Sequence, residues 1–438
     1  MKKIIFIWLI LLTFSFGDGF YFDDNETFNS KVYIETLGNP ENPAVILVHG
    51  LGDEASTIWD ETKEFLKNDY FVVVFDLPGF RNSELSSNVY SPENYAKLIN
   101  TIAKRFVNKP FHLVGHSMGG AISLKYASMY KDTLASLVLI DAAGILHRAT
   151  YGKFLAVNGI EHLFEPDSLF GNLIQTPRIN NFINNITNKL DNSRLFNADK
   201  VLNSPNLRKS VLNDNPMTIA ALALVQTNFS NLLEDIDTNT LIIWGENDAI
   251  APIQTGYVLN RLLQNSTMKI VLDCAHVPML SHKEIFFGHL KEHLSNPTTY
   301  IKNKPRIIDT PSYNIKIANS KKEVISGHIK KAVIKNSNNI LIKDAIIDDI
   351  EIINSNVEIL NSTYSGEGKF STLKSTLYIV ASDLFNKIDA DYSTLNIAGS
   401  TVNTDFKHFI HTKSSSVVIY SLSRINNVCI HDKFTIMK

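Results

Sequence analysis

Sulfur chemistry is nearly absent from this chain: Cys274 and Cys429 are the only cysteines in 438 residues. That excludes a disulfide-rich scaffold and a multi-cysteine zinc site. The two lie far apart in sequence, and pairing Cys274 would constrain the loop that carries His276, a candidate base, so both are expected as free thiols. The histidines form no H-E-x-x-H motif, and there is neither a G-x-G-x-x-G nor a Walker motif, so no metal and no cofactor is expected. Excess charge is also missing. A formal net charge of −2 argues against a nucleic-acid partner. The uncharged run Ile4 to Phe16 is shorter than the ~20 residues a spanning helix needs. Apolar residues are plentiful instead, 44% of the chain, enough to build two cores without covalent staples.

That short apolar run follows Met1-Lys2-Lys3, and Ser15-Phe16-Gly17 places small residues where a signal peptidase reads. Residues 1–17 are therefore expected to be a secretory signal peptide, with cleavage before Asp18 and a periplasmic or secreted product. An uncleaved N-terminal membrane anchor is the alternative. No cysteine follows the run to accept a lipid.

The most informative stretch is Gly115-His116-Ser117-Met118-Gly119. It has the G-x-S-x-G form of a sharp strand-to-helix turn that holds a serine hydroxyl in the open. Phe111 to Val114 before it reads as a buried strand, and Ala121 to Ala127 after it as a helix packed close by. An activated serine also needs a base, an orienting acid and oxyanion donors. The apolar strand Leu241 to Trp244 runs into a polar turn bearing Asp248. A second strand, Met268 to Leu272, leads to His276 on a loop. The strand Ala44 to Val48 ends in His49-Gly50-Leu51-Gly52, whose glycines let backbone approach a substrate. The amides of Leu51 and Met118 are the expected oxyanion donors.

These pieces, with Asp76-Leu77-Pro78-Gly79-Phe80, Gly245-Glu246-Asn247-Asp248 and Cys274-Ala275-His276, resemble the α/β-hydrolases of the cap-bearing group from about residue 30 to 295. The resemblance implies an α/β fold: a mostly parallel central sheet, helices on both faces, a helical cap, and catalytic groups at the strands' carboxyl ends. It implies Ser117 as nucleophile, Asp248 as acid and His276 as base. Relatives that open epoxides or remove halogens attack with an aspartate, so a serine at the elbow points to acyl transfer. One departure stands out: the family often has glycine where this chain has Arg81.

Each role has a rival. Asp141 also follows a strand, Leu137 to Ile140, and reads as a structural residue at the start of the cap connection. His116 sits inside the elbow, and His282 begins the last helix as a capping or surface group. Asp76 reads as a turn-forming aspartate that bonds backbone.

The expected layout is a hydrolase region over 18–295 with a cap insertion at about 145–236, a proline-bearing linker over 296–312, and an all-β region over 313–438. Within the cap, 156–164 and 216–233 read as helical, and 178–188 as a surface helix. In the last region Asn-Ser pairs recur at 319–320, 336–337 and 354–355, and again at 361–362, among short strands such as Ile340 to Ile342 and Val357 to Ile359. A parallel β-helix of five or six coils is expected, with inward Ser or Asn ladders; a β-sandwich is the alternative. Its tyrosines are dispersed, so a spacer or attachment module is favoured over an envelope or polysaccharide binder. The function expected is an exported serine hydrolase acting on a small-molecule or lipid-like carboxylic ester. The alternatives are a carbon–carbon bond hydrolase or peptidase with the same triad, and a non-catalytic envelope protein that presents the β region.

Overall fold

The computed structural model describes residues 19–146, 198–229, 232–297, 311–404, 409–412, 414–426, 428–430 and 433–437. The expected signal peptide, the expected helices at 156–164 and 178–188, and most of the expected linker lie outside the described residues. No helix among the described residues is long and apolar enough to cross a membrane.

An eight-stranded sheet organises the first part of the chain. Its strands are β1 (Phe20–Asp24), β2 (Ser30–Leu37), β3 (Ala44–Val48), β4 (Phe71–Phe75), β5 (Phe111–His116), β6 (Leu134–Ile140), β7 (Thr240–Gly245) and β8 (Ser266–Val271). The spatial order is β1-β2-β4-β3-β5-β6-β7-β8. Pairing is antiparallel from β1 to β2 and from β2 to β4, and parallel from β4 onward. Strands β3 and β4 are apolar and buried along their whole length, as a sheet covered on both faces requires. Consequently β3, β5, β7 and β8 all deliver their following loops to one edge.

Helices α1 (Asp60–Leu66), α2 (Pro92–Ile102) and α3 (Met118–Met129) connect these strands. The described part of the cap is α4 (Ala198–Asn203), α5 (Pro205–Leu212) and α6 (Pro216–Gln226). The last helix is shorter than its composition suggests. Thr227 turns its hydroxyl back onto the Ala223 carbonyl at 2.8 Å and adopts extended backbone, which ends the helix. After the cap come α7 (Ile253–Leu262), α8 (Pro278–Ser281) and α9 (Lys283–Ser295).

From Tyr313 onward most strands stack in parallel, and Val428–Ile430 and Lys433–Met437 close the end antiparallel. Asn356–Leu360 pairs with Thr376–Val380, which pairs with Thr394–Ala398, which pairs with Ser416–Ser421. This is the β-helix-like domain expected, and two serine ladders hold it. Ser337, Ser355, Ser375, Ser393 and Ser416 each accept the backbone N–H of the equivalent residue one coil earlier at 3.0–3.2 Å. Ser362, Ser382, Ser400 and Ser423 do the same along a second corner at 3.1–3.3 Å. The asparagines form outer steps instead, with Asn354 donating to Asn336 at 2.9 Å. Ser382 is fully buried, accepts from Ser362 and donates to the Val380 carbonyl at 2.8 Å. Ser382→Ala should therefore cost about 1–3 kcal/mol by stranding the Ser362 N–H. A thermal unfolding curve followed by far-UV circular dichroism checks this; an unchanged curve would mean the ladder adds no stability.

Candidate active site

Ser117 sits between β5 and α3 at φ +55°, ψ −121°, a conformation that L-residues rarely adopt. Hydrogen bonds force it: Ser117 N–H donates to the Ile140 carbonyl at 2.9 Å, and its own carbonyl accepts from Gly120 and Ala143. The flanking glycines are required on steric grounds. A Cβ on Gly115 would lie 2.3 Å from the Gly119 carbonyl oxygen, and one on Gly119 would lie 2.2 Å from that of Val48. Met118 opens α3, where a backbone N–H has no intrahelical acceptor. Leu51 lies on the turn after β3, and no hydrogen bond among the described residues uses its amide. That turn reaches the nucleophile: a Cβ on Gly50 would stand 3.3 Å from Ser117 Oγ.

Asp248 follows β7 and His276 follows β8. His276 Nδ1 and Asp248 Oδ2 are 2.7 Å apart, and both side chains are buried. The second Asp248 oxygen accepts the amides of Ile250 and Ala251 at 2.8 and 2.9 Å, which fixes the carboxylate in its turn. The His276 carbonyl accepts from the His116 ring at 2.7 Å. Residues near 50, 117, 248 and 276 thus converge on one edge.

Three further residues belong to this edge, and sequence reasoning gave none of them a role in shaping it. His49 donates through Nδ1 to the Gly50 carbonyl at 2.7 Å and accepts through Nε2 from the Leu77 amide at 2.9 Å. Only a neutral ring does both, and burial pushes its pKa down to about 4. His116 is pushed well below the ordinary histidine range by burial, then by the neighbouring His276. Asp141 is fully buried and accepts the Gly245 amide at 2.8 Å. Burial, then the Asp248 carboxylate, pushes its carboxyl well above the usual range. A neutral Asp141 adds no second negative charge beside His276, which agrees with a structural role.

Among the described residues neither remaining rival is hydrogen-bonded to Ser117, Asp248 or His276, and Asp76 binds backbone. Asp76 accepts the amides of Ser56 and Asn82 at 3.0 and 3.1 Å. His282 precedes α9 without capping it and meets the Ser281 hydroxyl. Arg81 adopts φ +42°, which explains why glycine suits its position. Cys274 is a buried free thiol.

A cavity of about 130 Å³ adjoins the site. Gly50, Leu51 and His276 border it, and Ala55, Ile58, Val277 and Leu280 supply apolar wall. Glu54 and Thr57 also line it, and among the described residues no lysine or arginine does. Among the cap arginines, Arg148, Arg178 and Arg194 lie outside the described residues. Arg208 is buried, bonding the carbonyls of Leu202 and, at 2.6 Å, Ser87. It ties the cap to the core. His289 and His293 stand four residues apart on α9, a spacing that suits metal binding. Among the described residues, however, the ligand-type groups close enough to share an ion are His116, Asp141 and His276. Each already has a polar atom in a hydrogen bond at this edge.

The profile of the family described as alpha/beta hydrolase fold matches residues 43–283. An uncharacterized hydrolase of Bacillus subtilis is 26% identical, the match covering 60% of this chain and 93% of that protein. A 2-hydroxy-6-oxononadienedioate/2-hydroxy-6-oxononatrienedioate hydrolase of Comamonas testosteroni is 25% identical, over 61% of this chain and 92% of that protein. Among solved structures, a thermophilic esterase from Thermogutta terrifontis is similar at 23% identity and a TM-score of 0.47, covering 64% of this chain and 99% of its own.

Proposed function

Because this chain belongs to the α/β-hydrolase fold family, we propose that it is a serine hydrolase that cleaves a carboxylic ester, exported through its N-terminal segment. The observation that carries the reading is the His276–Asp248 pair at 2.7 Å, placed at the same edge as a serine held in a strained elbow. Ser117 Oγ attacks the acyl carbon while His276 Nε2 takes the hydroxyl proton. The oxyanion forms against the amides of Leu51 and Met118. His276 then gives its proton to the departing alkoxide, leaving an acyl-serine. Water, deprotonated by His276, attacks that ester, and the proton returns to Ser117 as the acid leaves. Asp248 holds the ring with Nδ1–H toward itself and stabilises the imidazolium in both steps.

A second reading has support in the relatives named as 2-hydroxy-6-oxo-dienoate hydrolases: the same triad splitting a carbon–carbon bond in an anionic substrate. The cavity beside His276 favours the ester. Among the described residues its wall is mostly apolar and its carboxylate is Glu54, with no lysine or arginine beside it, a poor setting for an anionic substrate because desolvating an unpaired carboxylate is costly. A volume of about 130 Å³ is close to that of an engineered ~150 Å³ apolar cavity that accepts benzene. The substrate group seated there is accordingly short.

The test pairs fluorophosphonate labelling of full-length protein with a panel of p-nitrophenyl esters from acetate to palmitate and an anionic vinylogous diketone. Labelling with turnover of short esters supports the reading. Labelling with turnover of the diketone alone replaces it with the second. Ile58→Ala and Leu280→Ala should each lengthen the preferred chain by about one or two carbons, since each opens space for about that many methylenes. An unmoved preference in both would show that the cavity does not hold the acyl group.

A further inference from the structure

The β-helix-like domain does not stand off from the hydrolase as a spacer would. It packs on α7, the helix that begins directly after the turn Asp248–Pro252. Gln254, in the first turn of α7, donates to Glu358 at 2.8 Å. In its last turn Arg261 pairs with Asp383 and donates to the Thr401 hydroxyl at 3.0 Å. Between them Val258 is buried so closely that a Cβ on Gly399 would lie 2.6 Å from its methyl groups. Leu360, Val380, Ala381, Ala398 and Leu422 of the coil share one apolar cluster with Val258 and Leu259. Electrostatics agrees with a covered seam. Burial raises the Glu358 carboxyl. It also pushes Tyr257 up to about 12, with Asp344, Glu246 and Glu358 adding to the effect.

The start of α7 is also tied to the site. Asp248 is held by the amides of Ile250 and Ala251, and the Ala251 carbonyl accepts the Trp244 indole N–H at 2.8 Å. One short connection thus runs from the carboxylate that orients His276 into a helix gripped at both ends by the coil.

We propose that the C-terminal β-helix-like domain is a positioning element of the hydrolase site, fixing α7 and through it the turn that presents Asp248 to His276. The proposal rests on the ester-hydrolase reading for its kinetic consequence, though not for its structural one. Misplacement of a catalytic group by ~1 Å costs about 100-fold in rate.

The experiment uses the full chain with Arg261→Glu, Asp383→Arg, both together, and Gln254→Ala. Each single charge reversal should lower kcat for a short ester roughly 10- to 100-fold with KM nearly unchanged, and slow fluorophosphonate labelling in parallel. The double reversal should recover most of the loss, and measuring kcat well below each variant's melting temperature separates this from a loss of folded protein. Hydrogen exchange of the peptide holding Asp248 to Pro252 should quicken in the single variants and return toward wild type in the double. Unchanged exchange there, or unchanged kcat with only a lower melting temperature, overturns the proposal. A wild type that neither labels nor turns over esters overturns the ester reading alone, and exchange at the Asp248 turn still decides the positioning role.

Discussion

Replacing Ser117 with alanine is expected to lower kcat on the preferred ester by about 10⁶-fold and to abolish fluorophosphonate labelling, with His276→Ala giving a loss of the same order. The two losses should not add. Serine and imidazole act as one unit, so Ser117→Ala/His276→Ala should be no slower than either single variant. Asp248→Asn should cost less, about 10⁴-fold, because an amide in place of the 2.7 Å carboxylate partner favours the wrong histidine tautomer without removing the base. The elbow makes a separate demand. Ser117 is held at φ +55° and ψ −121°, and such a conformation costs about 1–3 kcal/mol for a residue with a side chain. Ser117→Gly should therefore be inactive and more stable than the parent, whereas Ser117→Ala should be inactive at nearly parental stability. Kinetics and denaturant midpoints on the same preparations check both halves. Retained turnover in Ser117→Ala would remove the serine from the mechanism.

The site was legible where chemistry dictates residue type. A nucleophile elbow needs its two glycines because backbone oxygens stand where side chains would go. Strand β3 runs over Ala44–Val48 as its apolar run indicates, and Asp248 and His276 meet although 28 residues apart. What stayed hidden were bonds between side chains and distant backbone. Nothing near His49 in the chain says that its ring will bridge Gly50 and Leu77, or that His116 will reach the His276 carbonyl.

The coil shows the same division. Its first corners carry Asn-Ser pairs, the asparagine taking left-handed φ and the serine feeding the ladder. Farther along, Lys374, Ala381, Tyr392 and Leu422 take those corners, each at φ +49°. The serine persists, but the asparagine signal is gone. Coil length also drifts, from 17 and 18 residues to 20, 18 and 23 along the first ladder. An asparagine-based repeat therefore fades after residue 362 while the architecture continues. The seam with α7 was invisible for another reason. Gln254, Val258 and Arg261 look like one face of an ordinary amphipathic helix, and Glu358 and Asp383 like outward strand positions.

Acid should unfold the hydrolase core well above the pH at which its carboxylates protonate. Burial pushes His49, His112 and His293 each down to about 4, against about 6.5 for an unfolded histidine. Between those values the unfolded chain binds protons that the folded chain refuses, so stability falls as pH falls from about 6.5 to about 4 and the loss levels off below. The gap of about 2.5 units corresponds to about 3 kcal/mol per ring. His112 and His293 face each other, so the contributions do not simply add, yet even one ring is a sizeable fraction of the net stability of a typical domain. The geometry supports the direction independently. His49 Nε2 must stay unprotonated to accept from Leu77, and His112 faces the charge that His293 would acquire. Apart from Trp8 in the N-terminal segment, the tryptophans are Trp59 and Trp244, both buried in the hydrolase core, and the coil has none, so fluorescence of protein beginning at Asp18 follows this part of the chain alone. Guanidinium midpoints at pH 7, 5.5 and 4 should fall steeply. His112→Gln, which keeps a hydrogen-bonding group beside the Ser136 hydroxyl, should be less stable at pH 7 yet lose less on acidification. A midpoint that holds steady from pH 7 to 4.5 would mean that the folded chain protonates these rings as readily as the unfolded chain does. Where the chain stays folded down to about pH 4, His49 protonates there, which breaks the Leu77 bond and frees the turn that carries the Leu51 amide, so activity should fall at the acid end of this window.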